Sequence, residues 1–395
     1  MMGRALLVAA AVLIGLLPPA AAEPPVIRVA VVQNQPEVAL AIHGRFRITP
    51  LRTPDALQEG ARLPKVAVRA AREGIAIGGQ VLPQPGVRVE PARDATINLN
   101  GRRLRGTLEI LAQPDQTLLV INHVGLEEYL QGVLSKEAPF HWPIEALKAL
   151  AIAARTYTVF QQLSKTSLAY DVSADVLSQV YGGRSAERGR STRAVGITRG
   201  LVLTFEGKVF PAFYHSTCGG LTEEASVMGP FDLAPLKGGV ACSFCVESPF
   251  YRWQRRLSGA DVAWAVKQAG RGSVWPRQEV EILAYSPTGR VGQVRIRGGG
   301  RVVDVAGYEF RKWFGFDRVR STGFAILREP DGVILQGRGW GHGVGLCQWG
   351  AAALARRGLS AKEILAYYYP EAELVRLGEH TMEPIPVKKE ARPRS

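Results

Sequence analysis

Short alternating runs dominate the first third of the chain. Val26-Ile27-Arg28-Val29-Ala30-Val31 is apolar and β-branched, and Phe46-Arg47-Ile48-Thr49 and Leu108-Glu109-Ile110-Leu111 alternate. Period-two patterning of this kind predicts strands. Pro/Gly turn segments such as Leu82-Pro83-Gln84-Pro85-Gly86 separate them, and Asn100-Gly101 between two runs predicts a hairpin.

The pattern changes at Leu126. Leu126 to Leu134 reads as a short helix, and Trp142-Pro143 opens a second, alanine-rich one through IEALKALAIAARTYTVFQQL. Residues 196 to 214 return to strands around the Glu206-Gly207 turn. A separate block follows, with a helix capped by Ser258 and three strand runs (EVEILAYS, QVRIRG, RVVDVAG). Ser360 and Glu363 form a capping box for a last helix ending before Pro370. The expected divisions are a leader (1–22), a β-rich region (23–115), a core in two parts (116–245 and 333–378), an insert (246–332) and a disordered basic tail (379–395).

Composition narrows the compartment. Arg4, the apolar run Ala5 to Leu17 and the small residues Ala20-Ala21-Ala22 read as a signal peptide, with an uncleaved anchor as the alternative. No later stretch reaches 18 uninterrupted apolar residues, so no transmembrane segment is expected in the mature chain. The protein is expected to be exported, to a periplasm or to the cell wall and its exterior. The net charge is +14 over 395 residues, spread without a Lys/Arg run, which argues against nucleic acid and for long-range attraction to anionic polymers.

Three segments carry candidate chemistry. Lys148 and Arg155 lie seven residues apart, hence on one helix face about 10 Å apart, near Glu137 in the preceding loop. A carboxylate there would be pulled down by the cations and pushed up by neighbouring aromatic residues. GRGWGHGVGLCQWGA alternates glycines around His342, with Trp340 and Trp349 nearby, allowing a close approach of chain or ligand. Aromatic faces beside polar groups suit sugars, and the candidate substrate contacts are Trp142, Tyr214, Ser216, Trp340, His342 and Gln348. The third segment pairs His215-x-x-Cys218 with Cys242-x-x-Cys245, the spacing of a closed structural zinc site, with a Cys218 disulfide to Cys242 or Cys245 as the alternative. Cys347 stands outside that set and reads as a buried thiol.

Taken together, LEEYLQGVLSKEAPFHWPIEALKALAIAARTYTV, FYHSTCGGLTEEA, RVRSTGFAI and GRGWGHGVGLCQWGAAALARRGLSAKEILAYYYP resemble the stage II sporulation protein D family, also called the LytB-type amidase-enhancer domain. The resemblance covers roughly residues 100 to 375. It implies a lytic transglycosylase that cleaves the MurNAc–GlcNAc backbone of peptide-free peptidoglycan, with Glu137 as acid/base and Lys148 and Arg155 as partners. The metal would be structural and none would be needed for catalysis. The alternative it implies is a non-catalytic wall-binding protein that stimulates a cell-wall amidase. The expected class is α+β: a β-rich exported protein with a helical catalytic segment and a small inserted β/α domain.

Overall fold

The computed structural model describes residues 25–165, 168–175, 178–275, 278–378 and 382–386. The expected leader and most of the expected tail lie outside these residues. The chain is mixed α and β, with seven helices among the described residues. None of them is long and apolar enough to cross a membrane.

The first hundred described residues fold as strands of one eleven-stranded sheet. Val26–Gln35 lies antiparallel to Leu118–Gly125, which continues to Thr107–Ala112, Gly86–Pro91 and Glu37–Pro50. Asn100 and Gly101 both take positive φ, 50° and 82°, between Thr96–Leu99 and Arg102–Leu104, which is the backbone a two-residue hairpin turn requires. Alternate strand residues such as Ile27, Val29, Leu40 and Ile42 are fully buried, so the period-two pattern was a core pattern.

Leu118–Gly125 feeds directly into α1 (Leu126–Glu137), which is followed by α2 (Ile144–Ser164). Helix α1 runs three residues beyond the expected end, so Glu137 is its last residue and not part of a loop. Helix α2 is buried on nearly all sides from Ala149 to Gln161, because its alanines allow α3 (Gly189–Ile197) and later helices to pack closely.

The insert has its own core. Trp253, Val262, Val294, Phe310, Phe324 and Leu335 belong to a second hydrophobic cluster, separate from the one shared by the large sheet and α1–α3. It contains α4 (Gly259–Gln268), capped by a Ser258–Asp261 box, α5 (Gly307–Phe314) and two three-stranded sheets. Its last strand, Gly332–Arg338, pairs with Arg252–Leu257 and Phe324–Glu329, so the insert extends past residue 332. The chain then returns to the main core through α6 (Gln348–Arg356) and α7 (Ala361–Tyr368), the latter closed by the Ser360–Glu363 box. Residues 382–386 depart from the expected disorder: Ile385 donates its N–H to Val209 O at 2.8 Å and is buried against the main core. Its apolar side chain gives that short piece of the tail a reason to dock.

Candidate functional site

Glu137 is held where three segments meet. Its Oε1 accepts the Val180 N–H at 2.9 Å, and Gln348 Nε2 lies 3.5 Å from Oε2. The segment carrying Val180 is fixed from beneath by Gln179. Gln179 accepts hydrogen bonds from Tyr129 Oη (3.0 Å) and Thr158 Oγ1 (2.8 Å) and donates to Tyr214 Oη (2.9 Å). Burial raises the Glu137 pKa above the ordinary carboxylate range, and the hydrogen bond from Val180 opposes that rise. The group is half-buried and lines a cleft of about 470 Å³.

That cleft gathers Tyr214, Ser216, Trp340, His342 and Gln348 around Glu137. Trp142 is elsewhere: it is 4 % exposed and packs edge-on against Trp349 at 5.3 Å, as a core residue. His342 lines the cleft with both ring nitrogens engaged. Its Nε2–H donates to Tyr214 O at 3.0 Å, and Nδ1 accepts the Val344 N–H at 3.1 Å. This fixes one neutral tautomer, and burial lowers its pKa well below the usual range. A ring engaged in this way shapes the wall but offers no nitrogen to a ligand.

The two helix cations are not at the cleft. Arg155 is fully buried and forms a bidentate pair with Glu127, Nε–Oε1 at 2.9 Å and Nη2–Oε2 at 2.7 Å, while Nη1 donates to Leu201 O. Glu127 also accepts the Gly200 N–H. The pair therefore ties α1, α2 and the chain after α3 together. Lys148 donates to both oxygens of Glu145 at 2.9 and 3.0 Å, and Glu145 also accepts the Ala361 N–H at the start of α7. Seven-residue spacing set a common direction, but packed neighbours already fill that direction, and partners closer than Glu137 take both charges.

The insert supplies residues that sequence reasoning missed. Tyr308, Arg311, Phe316 and Asp317 form one wall of the cleft. The Arg311 guanidinium lies 4.4 Å from the Phe316 ring centre, its Nε donates to Val319 O, and burial pulls its pKa down to about 10. The GYEFRKWFGFD run, with aromatic and charged residues mixed, was the available clue.

A second constellation sits beside the cleft. The sulfurs of Cys218, Cys242, Cys245 and Cys347 all lie within 4.8 Å of one another, and all four cysteines are buried and free. A tetrahedral thiolate site with metal–sulfur bonds of about 2.3 Å has sulfurs roughly 3.8 Å apart, so this set can hold a metal with little movement. The expected ligand His215 is not in the set, and Cys347 takes its place. His215 instead donates Nδ1–H to Val344 O at 3.1 Å, and its buried Nε2 has no partner among the described residues. Burial pushes its pKa down to about 3, so it is neutral. The exchange follows from the parallel pairing of Tyr214–His215 with Leu346–Cys347, which brings Cys347 beside the HSTC segment. Cys347 Sγ also accepts the Cys218 N–H and the Gly350 N–H, capping α6.

The alternating glycines make room for protein. A side-chain carbon at Gly341 would lie 2.6 Å from His215 Cβ, and one at Gly343 would lie 2.7 Å from Arg290 Cζ. Both glycines also take positive φ, 117° and 90°.

A carboxyl group lodged among aromatic rings and amide or hydroxyl side chains is an arrangement suited to a sugar-like ligand. Comparison with known proteins identifies its kin. Residues 114–205 match the model of the stage II sporulation protein family, and residues 244–345 match a domain of unknown function. The chain is 31% identical over 271 residues to stage II sporulation protein D of Bacillus amyloliquefaciens, covering 64% of this chain and 75% of that one. It is 33% identical over 284 residues to an uncharacterised protein of Brachyspira hyodysenteriae, covering 70% and 73%. It is also 27% identical to the amidase enhancer of Bacillus subtilis, over 73% of this chain and 46% of that longer protein. The chain belongs to the stage II sporulation protein D family.

Proposed function

We propose that this protein is an exported peptidoglycan lytic transglycosylase that uses Glu137 as its acid and base on peptide-free strands. The observation that carries this reading is the Glu137 carboxyl group, raised in pKa by burial and opening onto an aromatic-walled cleft. A raised pKa keeps a proton on the carboxyl closer to neutral pH, as general acid catalysis requires.

In this reading, protonated Glu137 gives its proton to the glycosidic oxygen as the C1–O bond breaks. The resulting carboxylate takes the proton of the muramic 6-hydroxyl, whose oxygen bonds to C1 and leaves a 1,6-anhydro end. The nucleophile is internal, so one carboxyl group serves both steps, unlike the paired carboxyls of ordinary glycosidases. Arg311, a cation on the cleft wall, would bind the strand's acetamido or lactyl groups in place of Lys148 and Arg155. The four cysteines would hold a zinc ion whose work is structural, because a four-thiolate site has no open position for water.

The test is to incubate the purified protein with peptide-free glycan and analyse the products by mass spectrometry. Anhydro-sugar ends support the reading. Ordinary reducing ends would instead point to hydrolysis by Glu137 with Asp317, the second carboxyl side chain lining the cleft. The kinship with an amidase enhancer favours a second reading, a non-catalytic protein that binds strands and stimulates an amidase. Absence of any cleavage, with stimulation of an amidase on intact wall, would establish it.

A further inference from the structure

A larger cavity, of about 990 Å³, is lined by Cys218 of the cysteine set and shares no lining residue with the Glu137 cleft. Its floor and walls carry three guanidinium groups with no acidic partner within ion-pair distance among the described residues: Arg252, Arg290 and Arg338. Arg252 and Arg338 stand directly opposite each other on adjacent antiparallel strands. Like charges in that position repel and cost stability. Next along the same ladder, Gln254 faces Gln336, so the surface is polar and set with amides.

Arg290 is the most telling of the three. It is 4 % exposed, its Nη2 donates to Cys218 O, and its Nη1 is buried with no partner. A buried guanidinium with an idle N–H group is costly unless something arrives to accept the bond. That Nη1 lies 3.8 Å from where a side-chain carbon at Gly323 would sit, and Gly323 lines the cavity. Burial pulls the Arg290 pKa below the ordinary guanidinium range; the nearby Glu223 carboxylate opposes that pull and the Arg338 charge adds a little to it. An anion held by the exposed Arg252 and Arg338 would offset this clustered positive charge, while the buried Nη1 itself stays out of reach.

The cavity and the cleft share two chain segments. Thr217 and Trp340 exchange backbone hydrogen bonds of 3.0 and 2.8 Å. On one side of that bridge, Ser216 and Gly341 line the cleft; on the other, Cys218 and Arg338 line the cavity. Only Thr217 separates Ser216 from Cys218, so the two sites lie within a few residues' length of each other, close enough for one polymer to enter both.

We propose that this cavity is a second binding site, which takes carboxylate groups of the peptidoglycan strand held in the Glu137 cleft. The ligand's identity rests on the function proposed above; the anion site rests on the arginines. Planar guanidinium groups pair with carboxylates through two parallel hydrogen bonds, and neighbouring glutamines suit the amides beside them.

The test measures binding in the full-length Glu137→Gln protein, so that cleavage does not enter. The probe is a soluble peptide-free glycan strand with free lactyl carboxylates, compared with the same strand after carbodiimide conversion to carboxamides. Calorimetry should give at least about tenfold weaker binding for the carboxamide strand. The added pair Arg252→Ser with Arg338→Ser should weaken the carboxylate strand by a similar factor and remove the difference between the two probes. Both side chains are exposed, so the fold should survive, which circular dichroism checks. The matched pair Arg188→Ser with Arg190→Ser removes the same charge near α3 and should change affinity less than threefold. Equal affinity for both strands, or equal losses in the two charge pairs, overturns the proposal. Tighter binding of a poly(glycerol phosphate) probe, lost with Arg252 and Arg338, also overturns it by assigning the site to a phosphate polymer. Cleavage by the wild-type chain is scored separately. A chain that binds carboxylate strands in this way but never cuts them sinks the transglycosylase reading and leaves this site standing.

Discussion

Cys347 and Gln348 are chain neighbours with opposite fates, and so are Cys218 and Ser216, two residues apart. The cysteines turn into a closed cluster in which every sulfur is buried against the others. Gln348 and Ser216 turn the other way, into the Glu137 cleft. Cys347 ends a short strand as Gln348 begins α6, and Ser216 and Cys218 flank Thr217, whose backbone bridges to Trp340, so one pair of segments builds both a closed centre and an open one. In the closed region the candidate ligand groups face one another and leave no room for a reactant. In the open region, burial raises the pKa of the Glu137 carboxyl group, which lines the cleft. The contrast is between groups enclosed by one another and a group that opens onto a cleft.

The largest effect should come from dismantling the closed region. Zinc is expected at about one ion per chain, and its removal should cost on the order of 5 kcal/mol or more of stability, read by thermal denaturation with and without chelator. Cys347→Ser should lose the metal, while His215→Ala should keep it. The reverse pattern would restore the histidine site. Four reactive thiols after chelation under denaturing, non-reducing conditions support the metal; only two would mean a disulfide.

In the open region, Glu137→Gln should reduce glycan cleavage by about 10²- to 10⁴-fold. Its effect on stability has a definite sign. The folded pKa is raised, so the ionised group opposes folding once pH exceeds the unfolded value, and the wild type loses stability as pH rises through the folded value. The variant should therefore be as stable as wild type at low pH and more stable at neutral pH. Wild-type cleavage should fall as pH rises through the same range. A destabilised variant at neutral pH would mean that Glu137 is an anchoring residue like those of the closed region.

Arg155→Ala should cost about 3–5 kcal/mol, because it leaves Glu127 buried and unpaired. Denaturant unfolding measures this, and any loss of turnover should track the unfolded fraction. Lys148→Ala should be the mildest change, within about 0.5 kcal/mol and with turnover near wild type, since its pair with Glu145 is partly exposed. Glu145→Ala should cost more than Lys148→Ala, because Glu145 also caps α7. Strong loss of activity in Lys148→Ala without loss of stability would return that lysine to the cleft.

Local physics was legible in the chain. Hairpin residues, the helix cap at Ser258 and the capping box at Ser360, and the length of α2 follow from backbone preferences over a few residues, and all appear where the pattern put them. Of the candidate site, Glu137, Tyr214, Ser216, Trp340 and Gln348 are gathered in one cleft, although they come from stretches more than two hundred residues apart. Trp142 was misjudged because an aromatic next to a candidate acid can face either the cleft or the core, and sequence spacing does not distinguish them.

The sequence by itself determined the types of groups available and their local spacing: one acid between two helical runs, four thiols, cations seven apart and glycines in alternation. Only the tertiary structure decided which partner each group met. Arg155 found Glu127 and not Glu137, because α1 and α2 pack with that pair inside. Cys347 displaced His215 from the cysteine set, because two short strands, Tyr214–His215 and Leu346–Cys347, pair in parallel from distant parts of the chain and bring Cys347 to Cys218. The insert brought Arg311 and Asp317 to the cleft from a separately packed core. Propensity and capping act within a turn or two of chain, whereas ligand sets, ion pairs and cleft walls are contacts between distant segments, and these exist only after the chain has folded.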